Sequence, residues 1–168
     1  WQTLAPHAQQ LTGLLLDGAL GGQPAVTDAL LSDALDQASD FADNLPVILW
    51  LAEAIGERAL MLWGRQDENR QRSTIAEMLP RFDDHGRRTG PPTMSAPACT
   101  ESAARQFRAA IELLPPLYRM TLVLADVYGV PRSHLAEMLA RDEAATRLVL
   151  HHARLAVTET LLSMHTDS

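Results

Sequence analysis

The chain has no lysine, one cysteine and only 5% aromatic residues, and no apolar run approaches the roughly 20 residues a bilayer-spanning helix needs. With a single cysteine, Cys99, an internal disulfide is excluded, and no second cysteine or histidine at ligand spacing accompanies it to hold zinc. The expected setting is a reducing cytoplasm, with no membrane partner. The opening residues lack the basic-then-apolar pattern of a secretory signal. A start at Trp1 rather than Met is expected of a fragment or a trimmed chain. Few aromatics and no long runs of Val, Ile and Thr argue against sheets, whereas Ala and Leu fill the segments between loops, so the expected fold is all-α. A nucleophile beside a base, a glycine-rich phosphate loop and a metal cluster are all missing. No enzyme, cofactor or small-molecule substrate is expected.

What charge there is divides unevenly. Residues 1–85 hold five arginines against thirteen acids, net −8, and residues 86–168 hold nine against eight, net +1. Affinity for nucleic acid rests largely on neutralising phosphates with Lys and Arg. The first half should be repelled by DNA, and the second attracted weakly.

Apolar residues recur at helical spacing in 4–20, 26–35 and 47–63, with a short helix expected over 72–79. Gly21, Gly22 and Pro24 separate the first two, and Asn44 and Pro46 precede the third. Between Pro80 and Thr100 four prolines and two glycines break the period and predict a linker. Beyond it, helices are expected over 101–113, 117–128, 132–139 and 143–162, punctuated by Pro115-Pro116, Gly129 and Pro131, with Asp142 capping the last. The expected organisation is a helical lobe at 1–79, a linker at 80–100 and a second helical lobe at 101–168.

Residues 114–162 have the form of a helix-turn-helix: Leu135 and Leu139 face inward, Ala136 is small where helices cross, and a short turn leads to the second helix. Leu114-Pro115-Pro116, Tyr118-Arg119, Leu122-Val123-Leu124, Asp126-Val127 with Gly129, Ala136-Glu137 with Leu139, and Leu150 with Ala153-Arg154 are set as in one known family. This stretch resembles region 4 of extracytoplasmic-function sigma factors. The segment Trp50–Arg65 is similar, more faintly, to sigma region 2, and 27–38 stands where the family has the helix that docks on the polymerase clamp.

The resemblance implies a regulator of transcription initiation with two partners, RNA polymerase core and promoter DNA, the DNA being read by Arg141, Arg147, His151 and Arg154. Departures from the family pattern imply something further. Ala140 and Arg141 replace the usual glycine and apolar residue of the turn, which is expected to be re-angled. Leu148 and Val149 stand where a small polar and a basic residue are usual. On the upstream helix Glu53, Glu57 and Met61 occupy a surface that in the family holds a melted strand, and acids there repel phosphates. This profile also resembles the sigma-like domain of general-stress response regulators, which imitate a sigma factor to draw off an anti-sigma factor. Leu31, Leu35, Asp36, Glu53, Glu57, Met61, Leu148 and Val149 are the residues expected to meet such a protein partner. A plain helix-turn-helix repressor is a third, weaker reading.

Blander roles stand beside these. Trp50 and Trp63 lie among apolar residues at helical spacing and suit a core better than base stacking. His151 and His152 point to different faces of a helix and cannot chelate a metal as an i, i+4 pair would. Glu53 with Glu57 fits a solvated face better than acid–base chemistry.

Overall fold

A computed structural model describes residues 5–15, 28–29, 32–33, 47–63, 68–89 and 101–166. Leu31, Leu35, Asp36 and Cys99 lie outside the described residues. The helices are α1 (Ala5–Leu15), α2 (Val47–Trp63), α3 (Glu68–Met78), α4 (Glu101–Glu112), α5 (Pro116–Leu122), α6 (Arg132–Met138) and α7 (Glu143–Thr166). Asp28, Ala29, Ser32 and Asp33 are helical as well, and Asp33 accepts an ion pair from Arg58 of α2 at 2.6 Å.

Three local departures from the sequence expectations have physical causes. Helix α3 begins at Glu68, four residues before Arg72, with an acid in its first turn where the helix dipole favours one. The segment expected as plain linker contains a hairpin, β1 (Arg81–Phe82) paired antiparallel with β2 (Arg88–Thr89). Asp83 builds its turn: one carboxylate oxygen accepts the N–H groups of His85 at 2.9 Å and Arg87 at 2.8 Å, and Gly86 takes φ +72°. Third, the helix expected to run to Tyr128 widens into a π turn at Val123–Val127, where Tyr128 N–H donates to the Val123 carbonyl at 3.2 Å.

Around the helix-turn-helix the sequence signals act as local chemistry dictates. The Pro115-Pro116 pair ends α4 and starts α5. Its loose carbonyls are met by buried Arg119, whose guanidinium donates to the oxygens of Glu112 and Leu114, the latter at 3.0 Å. Asp142 caps α7 through a 2.7 Å bond from Ala145 N–H. Between α6 and α7 the chain closes by Arg141 N–H donating to Ala136 O at 2.9 Å and Ala140 N–H to Glu137 O at 3.0 Å. This bond pair requires a left-handed residue, and Ala140 supplies it at φ +50°. The turn holds the conformation that suits glycine, with alanine in it.

One core joins the two halves. Leu11 and Leu15 of α1 and Leu51 and Ile55 of α2 are fully buried in the same cluster as Ile111, Met120, Leu124, Leu135 and Ala153. Burying each large side chain contributes about 1.5–3 kcal/mol, so this shared cluster outweighs any surface tie between the halves. Gly56 lets α2 approach closely: a Cβ there would lie 2.8 Å from Leu124 Cδ1 and 3.3 Å from Met138 Sδ. Polar ties cross the same seam. Glu53 meets His134 Nδ1 at 2.6 Å, Gln71 accepts the Leu117 N–H at 3.0 Å, Glu68 pairs with Arg141 at 2.8 Å, and Arg88 of the hairpin pairs with Glu159 of α7.

Candidate nucleic-acid interface

Helix α7 carries Arg147, His151 and Arg154 at i, i+4 and i+7, a spacing that places all three on one stripe. With Asp126, Arg132 and Leu148 they line an open groove of about 980 Å³ between α7 and the start of α6. Arg132 was not singled out in the sequence, where it reads only as the first residue after Pro131. Its position at the mouth of the turn is the signal that reveals it.

The groove's charge is partly spent internally. Asp126 accepts two bonds from Arg154, from Nε at 2.9 Å and from Nη2 at 2.6 Å, and this pairing raises the Arg154 pKa above its usual value. Arg132 and Arg147 enter no ion pair with any described residue, so two arginine charges face the groove uncompensated. His152, half-buried beside this stripe, has its pKa pushed down by loss of water and then by its neighbour His151.

Arg141, expected in the same row, points elsewhere. Its side chain is 17% exposed and is held by Glu68 of α3. The two apolar departures on α7 also separate: Leu148 is 53% exposed, whereas Val149 is 7% exposed and sits inside. An accessible contact is therefore open to Leu148 and closed to Val149 in this arrangement. Val149 and His152 border a cleft of about 390 Å³ whose other wall is Ile75, Ala76 and Leu79 of α3 and the segment after it.

A second groove, of about 510 Å³, gathers three of the residues expected to meet a protein. Glu53, Glu57 and Met61 line it with His134, Glu137 and Met138. Met61 is 68% exposed. Partial loss of water, with Glu53 nearby, raises the Glu57 pKa. Trp50 is partly buried against the core. Among the described residues no group of three His, Cys, Asp or Glu is placed to hold a metal, and no helix is long and apolar enough to cross a membrane.

An all-helical chain with a helix-turn-helix at one end, packed on a helical half at the other, defines a sigma-like fold. Comparison with solved structures agrees. The chain is similar to the sigma factor RpoE of Bartonella quintana, solved in complex with the anti-sigma factor NepR, at a TM-score of 0.60 and 13% identity over 95% of this chain and 92% of that one. No family model and no curated protein matches the chain.

Proposed function

We propose that the protein is a sigma-like regulator of transcription initiation that contacts duplex DNA through α7. The reading is carried by the open groove in which Arg132, Arg147, His151 and Arg154 converge on the exposed stripe of the second helix of a helix-turn-helix. Two uncompensated arginines give a modest electrostatic footprint. For two phosphate contacts the logarithm of affinity should fall against the logarithm of salt with a slope of about −2. In this reading the upstream half docks on RNA polymerase core and the promoter is met by the downstream half, within the cytoplasm. The test is fluorescence anisotropy with a labelled mixed-sequence duplex, alongside capture of polymerase core. Arg147→Gln should weaken binding and reduce the slope by about 0.9. Salt-independent binding, or none at low salt, together with no polymerase capture, overturns this reading.

A second reading is favoured by the acidic groove at Glu53, Glu57 and Glu137, floored by Met61 and Met138, and by the burial of Val149. In it the protein is a sigma mimic that sequesters an anti-sigma factor and leaves DNA alone. The structural neighbour's own complex is with an anti-sigma factor. Co-elution with a small helical anti-sigma factor, with no shift of duplex DNA, supports this reading over the first.

A further inference from the structure

We infer that α3 is a lid on the reading helix α7, and that it must lift before α7 can enter a major groove to full depth; the inference rests on the DNA-contact reading above. Helix α3 lies along α7, with Ile75, Ala76 and Leu79 facing Ala145, Val149 and His152 across their cleft. At about 100° per residue, this flank stands roughly 130° around α7 from the Arg147–His151 stripe, and the two surfaces meet at Leu148. The major groove is about 12 Å wide and a helix with its side chains about 10–12 Å across, so the groove admits one helix. A second helix packed alongside, with its axis about 8–10 Å away, makes a body near 20 Å wide. Over residues 145–152 that body meets the groove wall before Arg147 and His151 reach the bases.

The attachment is light. Ile75 is the buried residue of α3, and two polar ties reinforce it, Glu68 to Arg141 at 2.8 Å and Gln71 to the Leu117 N–H at 3.0 Å. Both leave with the helix. Lifting α3 withdraws the Glu68 charge from the reading helix and releases Arg141 to join Arg132 and Arg147. It also uncovers Val149, which accounts for an apolar residue at a point on α7 where a surface-exposed helix would carry a polar one. The apolar pair Leu148-Val149 is thus the seat of the lid.

The experiment compares the whole chain with Glu68→Gln and with Ile75→Ser, using a fluorescein-labelled 30-base-pair duplex of mixed sequence across a salt series. Far-ultraviolet circular dichroism checks that each variant is folded, and hydrogen exchange on α3 amides reports its release. Release of α3 should strengthen binding at least fivefold and steepen the salt slope by about 0.9 as Arg141 gains a phosphate. Adding Arg141→Gln to Glu68→Gln should remove that extra slope. If the native chain binds and the released variants bind no tighter, α3 is not a lid, while the DNA reading stands. If variants with a demonstrably released α3 still bind no duplex at 25 mM salt, the DNA reading fails and the lid with it.

Discussion

Replacing Ala140 with glycine should make the protein more stable, although the substitution removes a methyl group and loosens the unfolded chain. Ala140 sits at φ +50° in the turn between α6 and α7, held there by the bonds of Arg141 to Ala136 and of Ala140 to Glu137. A left-handed conformation costs a residue bearing a Cβ about 1–2 kcal/mol. Glycine is free of that cost but gives up about 0.5–1 kcal/mol more backbone entropy on folding. The difference favours Ala140→Gly by about 0.5–1 kcal/mol, which for a chain of this length is about 1–4 °C in Tm. Thermal unfolding followed at 222 nm, with urea midpoints at unchanged slope, measures it. Ala104→Gly on the exposed face of α4 is the control and should instead cost about 1 kcal/mol. Destabilisation by Ala140→Gly comparable to the control would refute the left-handed assignment and the turn geometry built on it.

Gly56→Val places a branched side chain against Leu124 and Met138, and urea denaturation should show a loss of about 1–3 kcal/mol from overpacking. Arg119→Met strands the Glu112 and Leu114 carbonyls that the guanidinium serves, and the same assay should read a loss of about 1.5–3 kcal/mol. His152 has a lower pKa folded than unfolded, so the unfolded chain binds its proton more readily. Stability should therefore rise with pH through the imidazole range and fall below it. In Tm measured from pH 5 to 8, His152→Gln should flatten that rise. Glu57, raised in the folded state, contributes with the opposite sign at lower pH, its share of stability declining as pH climbs through the carboxylate range.

Much of the downstream half was legible because its signals are local. Pro115-Pro116, Pro131 and Asp142 each act within one turn of helix, and each marks the boundary its chemistry demands. The stripe of Arg147, His151 and Arg154 follows from helical spacing alone. What could not be read depends on contacts between segments far apart in the chain. Arg141 looked like a groove cation until Glu68, 73 positions upstream, turned it aside. Val149 looked exposed because nothing nearby in sequence covers it; the cover comes from around Ile75. Arg132 was passed over because only the folded turn carries it to the groove. The hairpin at Arg81–Thr89 hid within a proline- and glycine-rich stretch, although Asp83 and Gly86 are the residues its turn requires.

The π turn at Val123–Val127 absorbs one surplus residue into an otherwise regular helix. Deleting a residue there would let the ladder close in the ordinary way while rotating everything beyond it by about 100°. Leu135 would then swing out of the interior, and His134 would no longer reach Glu53. Angular phase between the two ends of the molecule is thus encoded by a residue count in five positions. A homologue one residue shorter at that point would need a wholly different set of facing side chains to stay assembled.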